Sequence, residues 1–185
     1  MEPWAWIVVI VVVLVALALA AWAAVRTWRT RQLRERFGPE YERVVEERED
    51  RSEAERELME RRRRRERLDI QALPPERREA YRARWEEVQA RFVDDPPSAL
   101  VAADDLVTEV LRERGYPFED FEQRVADLSV DHPELAARYR EARATLGASL
   151  QGPADTDRAR EAMVHYRSLF EELTAEAPGA RREVR

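Results

Sequence analysis

Residues 3–25 read PWAWIVVIVVVLVALALAAWAAV, an apolar run without a charged side chain. About 23 residues rising about 1.5 Å each make a helix of roughly 34 Å, enough to cross the hydrocarbon core of a bilayer with some tilt. Trp4, Trp6, Trp22 and Trp28 sit at the ends of the run, where amphipathic rings gather at membrane–water interfaces. Arg26, Arg29, Arg31, Arg34 and Arg36 follow at once, and no basic side chain precedes the run. By the positive-inside rule this predicts a single-pass anchor in the inner (cell) membrane, with a short N-terminus outside and residues 26–185 in the cytoplasm. The competing expectation is a cleaved signal and an exported helical binding protein. Ala18-Leu-Ala20 and Ala21-Trp-Ala23 have the small-residue pattern of a cleavage site, but the Met-Glu-Pro start carries an acid and no arginine, and the run outlasts a signal core.

Four segments follow from composition: an anchor at 1–25, a charged connector at 26–73 with a break near 38–39, a helical domain at 74–175 and a flexible tail at 176–185. The domain, at about 100 residues, is long enough to bury a core unaided. The chain has no cysteine, which excludes disulfides and thiolate metal sites. Every basic residue is arginine, so each cation is a planar fork that keeps its charge. The net charge of −6 is uneven: residues 1–67 hold 15 Arg against 13 acids, and residues 68–185 hold 17 against 25. An acidic distal domain argues against a nucleic-acid partner.

In the connector, Leu33, Phe37, Tyr41 and Val44/Val45 recur at helical spacing around Gly38-Pro39, a pair that breaks a helix. Glu46 to Arg67 is almost wholly charged, with Glu47/Arg51, Glu57/Arg61 and Glu60/Arg64 spaced for (i, i+4) pairs. This reads as a solvated helix used as a spacer. Ala54, Leu58 and Met59 are too few for a committed coiled coil, so the alternative is a weak homo-oligomer through the connector helix. Arg61, Arg62, Arg63, Arg64 and Arg65 are a candidate electrostatic contact for anionic lipid, nucleic acid or an acidic partner. On a helix they point all round the axis, and the plainer reading is that they balance the preceding glutamates.

Five amphipathic segments fill the distal domain. Tyr81, Trp85, Val88 and Phe92 make the first stripe, and Leu100, Ala103, Val107, Val110 and Leu111 the second. Asp94-Asp95-Pro96-Pro97 between them supplies an acid cap and an early proline. Phe118, Phe121, Val125 and Leu128 form a short third segment. Leu135, Tyr139, Ala142 and Leu146 form the fourth, after Asp131-His-Pro-Glu134 with capping-box spacing. A loop is expected from Gly147 to Pro153, and Met163, Tyr166, Phe170 and Leu173 form the fifth. No stretch alternates with period two, so the predicted fold class is all-α: a transmembrane helix, a long charged helix and a compact bundle of four to five helices.

Catalytic chemistry finds little support. His132 lies in a cap sequence, and His165 stands beside the buried stripe without the paired Glu-x-x-His that a di-iron bundle needs. Phosphate loops and nucleophile elbows are absent from the sequence. Asp94/Asp95 and Asp104/Asp105 are adjacent pairs whose side chains diverge by about 100° on a helix. No catalytic activity, cofactor or metal is expected. Tyr116, Phe118 and Phe121, close together at a Gly-Tyr-Pro turn, are a candidate partner-docking knob, although such aromatics more often plug the end of a bundle.

Phe37-Gly-Pro-Glu-Tyr41, Val88–Asp94, Arg114-Gly-Tyr-Pro117, Asp120–Pro133 and Ala162–Phe170 together resemble a family of bacterial, mainly actinobacterial, single-pass membrane-anchored or "secreted"-labelled helical proteins with no assigned function. The resemblance spans nearly everything after the anchor and implies only the layout above. The expected partners are the lipid bilayer and a protein of unstated identity, with the bundle a cytoplasmic interaction or scaffold module. The alternative is an electrostatic organiser working through Arg61–Arg65 and the juxtamembrane arginines.

Overall fold

The computed structural model describes residues 3–117, 120–151 and 155–175, with residues 3–9 described by backbone alone. The described residues form eight α-helices and no strand: α1 Pro3–Phe37, α2 Pro39–Arg48, α3 Arg51–Arg65, α4 Pro75–Asp94, α5 Pro96–Glu113, α6 Phe121–Asp131, α7 Pro133–Gln151 and α8 Thr156–Thr174. The chain is all-α. It divides into two compact units, Met1–Leu58 and Met59–Arg185, with the boundary inside α3. The side chains of Trp4 and Trp6, and all of Phe118 and the 176–185 tail, lie outside the described residues.

In the first unit, α1 is long and apolar enough to span a membrane, and its apolar window is not buried by the rest of the chain. Gly38, with φ +48°, turns the backbone, and Pro39 opens α2 where a missing N–H costs nothing. The charged connector is helical, as two helices rather than one. Glu49 breaks it at φ +55°, its N–H reaching the Val45 carbonyl at 3.1 Å, and Asp50 then caps α3 by accepting from the Ser52 N–H at 2.7 Å. That break changes the ion pairs. Glu47 sits on α2 and takes Arg43, while Arg51 sits on α3 and takes Glu55. Thr30, Leu33, Phe37, Glu40, Tyr41, Val44, Ala54 and Leu58 are all buried.

In the second unit, α4 to α8 share one core, which holds every described inward position named from the periodicity; Phe92, Phe121 and Leu135 pack on it half-buried. Aspartates cap α5, α6 and α8: Asp95 accepts from Ser98 N, Asp120 from Glu122 N and Asp155 from Asp157 N and Arg158 N. Two details differ from the periodic reading. Helix α7 continues through Gly147 to Gln151, because a lone glycine weakens a helix by only about 1 kcal/mol and the rest of the segment is helix-compatible. Helix α6 includes Asp131 and the junction falls on His132, whose N–H caps the Leu128 carbonyl.

The segment between α3 and α4 is tied down. Gln71 N donates to the Arg114 carbonyl at 2.9 Å, and Arg114 returns bonds to the carbonyls of Gln71 and Leu173 at 3.2 and 3.0 Å. Gly115 ends α5 at φ +101°, and a Cβ there would meet the Asp69 carbonyl oxygen at 2.4 Å. Both the backbone conformation and the close approach require glycine. Gly115→Ala is therefore expected to lower unfolding stability by about 1–3 kcal/mol, measured by urea denaturation of the detergent-solubilised chain, whereas Gly147→Ala, with open space around its Cα, is expected to be neutral or stabilising.

Candidate functional site

Helices α4 and α8 flank a shallow cleft of about 350 Å³. Arg82, Trp85, Glu86 and Gln89 of α4 face Arg167, Phe170 and Glu171 of α8 across it. Its floor is the Trp85–Phe170 pair, stacked with centroids 4.9 Å apart and planes 13° from parallel, a contact worth about 0.5–1.5 kcal/mol beyond its area. Each helix brings Arg, an aromatic three residues on, and then Glu. That spacing puts the three on one side of a helix, so the rims carry two cations and two anions. The repeated Arg-x-x-aromatic-Glu pattern was a signal in the sequence that pointed to this surface, and only Trp85 and Phe170 were singled out there, as core.

Beneath the surface, α5, α7 and α8 meet through polar groups. Asp104, 6% exposed, accepts from Tyr166 Oη at 3.2 Å and from Arg143 Nη1. Thr108 and Tyr139 share a hydrogen bond at 3.1 Å. Phe121 closes this cluster, edge-on to Tyr139 at 5.0 Å and covered by the guanidinium of Arg143 at 5.1 Å. Burial pushes the Asp104 carboxyl above its usual range, against the opposing pull of Arg143 and the Tyr166 hydroxyl. Burial likewise raises Tyr139 and Tyr166, helped by the nearby Asp104 charge. This is an interior linkage: its carboxylate is already occupied by two donors.

Asp104 was weighed with Asp105 only as a carboxylate pair. What marks it is its place on the buried stripe of Leu100, Ala103, Val107 and Leu111, where an acid needs a partner. That partner, Arg143, lies 39 residues away.

The five-arginine run is distributed among different tasks. Arg61 is buried at 6% exposure and Arg62 pairs with Glu66 at 3.2 Å. Arg64 reaches Asp127, a carboxylate with no solvent exposure, at 2.9 Å, and Gln123 donates to the same carboxylate. Arg65 binds Asp131 and lies 6.0 Å over the Tyr116 ring. The pairs join α3 to α6 within the second unit. Arg64 therefore turns to a buried acid instead of Glu60, since a shielded carboxylate holds a cation more strongly than an exposed one.

The docking knob also changes character. Tyr116 is 3% exposed and part of the core, and Phe121 is half-buried against Tyr139, so both pack into the bundle. No protein-family model, curated protein or solved structure matches this chain. Among the described residues no group of three or more His, Asp or Glu side chains is arranged to hold a metal ion. His132 stands 3.7 Å from Glu172 and His165 3.5 Å from Glu141, each a single pair.

The Asp104 linkage yields a test with a sign. An acid whose folded pKa is raised binds more protons folded than unfolded between the two values, so its contribution to stability falls as pH rises through that window. Arg143→Ala removes the main cation opposing the effect and leaves a buried carboxylate uncompensated. The loss is expected to be about 2–3 kcal/mol at neutral pH, discounted from fully buried pairs because Arg143 is 43% exposed. It should shrink as pH is lowered through the raised Asp104 pKa. Thermal melts of both chains across pH read this out, and a pH-independent deficit would contradict it.

Proposed function

We propose that this chain is a single-pass membrane-anchored helical module that presents its bundle to a protein partner on the cytoplasmic side and performs no catalysis. The observation that carries the reading is α1. From Ile10 to Val25 its large apolar side chains are exposed on every face, at 50–61%, which suits hydrocarbon and not water. The arginines that follow support an inward-facing bundle. The α4/α8 cleft, with an aromatic floor and charged rims, supports the interaction role, since rigid aromatics ringed by polar groups are what protein partners engage. Tethering would hold the bundle at high effective concentration near membrane partners.

The second reading, an electrostatic organiser acting through Arg61–Arg65, draws less support now that Arg64 and Arg65 are held by Asp127 and Asp131. The exported alternative remains a distinct outcome of a topology test. Because the chain has no cysteine, a single Ser52→Cys reports its own side of the membrane. The introduced thiol is expected to resist a membrane-impermeant maleimide in intact cells and to react after lysis; reaction in intact cells, or a mature chain beginning near Ala24, would favour export. For the interaction role, a photo-crosslinking residue replacing Glu86, in the cleft, is expected to trap a discrete protein adduct in cells. One replacing the neighbouring Glu87, outside the cleft, is expected not to. Identical adducts from both positions would remove the cleft from the proposal.

A further inference from the structure

The arginines between residues 26 and 36 are not equivalent. Arg34 is occupied, lying 5.2 Å over the Tyr41 ring and 3.3 Å from Glu42, and Arg36 is engaged as well. Arg26, Arg29 and Arg31 are exposed, and among the described residues no carboxylate pairs with them. The exposed rings of Trp22 and Trp28 are at the same level, with the Arg26 guanidinium 5.4 Å from the Trp22 centroid. At about 100° per residue, Trp22, Arg26 and Arg29 fall within roughly 60° of one another on one face of α1.

We infer that this Trp22–Arg26–Arg29 face binds the phosphate of an anionic phospholipid, so that the chain selects anionic over zwitterionic headgroups. The inference rests on the reading of α1 as a membrane span. Depth supports it. With Val25 at the hydrocarbon edge, Arg26 to Arg29 lie about 1.5–6 Å beyond it, inside a headgroup layer roughly 5–8 Å thick on each side. At that depth the available anions are lipid phosphates, and a guanidinium fork matches a phosphate with two parallel hydrogen bonds; in a zwitterionic lipid the headgroup's own ammonium offsets that phosphate, so the net attraction to Arg26 and Arg29 favours the anionic lipid. Trp22, one turn nearer the core, is placed where an indole prefers to sit.

The face is also held in rotation. Thr30, Leu33 and Phe37 continue the stripe of Arg26 one, two and three turns further on. All three are buried, and Thr30 Oγ1 donates to Glu55 Oε1 at 2.8 Å. Glu55 accepts from Tyr41 Oη at 3.0 Å too. Packing below the interface thus aims Arg26 and Arg29 without using either, which limits the ordering needed when a headgroup arrives.

The test uses the full chain, reconstituted into nanodiscs of equal phosphatidylglycerol and phosphatidylcholine, re-extracted gently and counted for retained lipid by native mass spectrometry. The native chain is expected to retain phosphatidylglycerol preferentially. In Arg26→Gln/Arg29→Gln the preference should fall by about fivefold for each arginine removed. Arg26→Lys/Arg29→Lys should keep part of it through charge alone. Arg62→Gln/Arg63→Gln, far from the span in sequence, should leave it unchanged. Preference in the native chain should also weaken with rising salt, a readout that needs no variant. Equal retention of the two lipids by a chain that inserts normally would overturn the inference while leaving the span intact. A preference that moves with the Arg62/Arg63 variant instead would overturn it as well. A chain that does not enter nanodiscs of either lipid would overturn both.

Discussion

Apolar surface on α1 that none of the other described residues covers is the constraint to which the rest of the structure answers. Burying a Val, Leu or Ile side chain contributes about 1.5–3 kcal/mol, and the stretch from Ile10 to Val25 holds many of them on all faces. The sum is on the order of tens of kcal/mol, against a net stability of about 5–15 kcal/mol for an ordinary domain. None of the other described helices covers that segment, which is long and apolar enough to span a bilayer. In the reading of α1 as a span, the polar chain after Val25 folds outside the lipid.

How it folds outside depends on where arginine finds an anion. Arg64 and Arg65 find Asp127 and Asp131, and Arg114 finds two backbone carbonyls, Gln71 and Leu173. These bonds build the end of α3 and the following segment into the second unit as structural parts. Arg43 is bidentate to the buried Glu40 in the first unit. Engaged arginines therefore hold helices together, whereas Arg26, Arg29 and Arg31 beside the apolar stretch meet no carboxylate among the described residues.

The second unit buries two acids, Asp127 on α6 and Asp104 where α5, α7 and α8 meet. A buried acid is costly unless well paired, and replacing such groups with apolar ones is often neutral for stability. Asp104, with Tyr166 and Arg143 as donors, accordingly ties three helices together through polar contacts instead of buried apolar area. The Trp85–Phe170 stack does the opposite: it is dispersion and area, and it leaves a cleft above it with Arg and Glu on each rim.

What the amino-acid order determined alone was every property set by neighbours within a turn or two. The long apolar helix, the break at Gly38-Pro39, the five amphipathic stripes and the aspartate cap at Asp95 all follow from local spacing. They could be read because burial on one face imposes a period. What only the tertiary structure decided was the choice of partner for each charge. Asp104 and Arg143, Arg64 and Asp127, and Trp85 and Phe170 lie tens of residues apart in the chain. An arginine in a charged run looks the same in sequence whether it ends in water or on a buried carboxylate. The difference lies in how far the chain elsewhere shields the anion, and shielding is a property of the packed molecule.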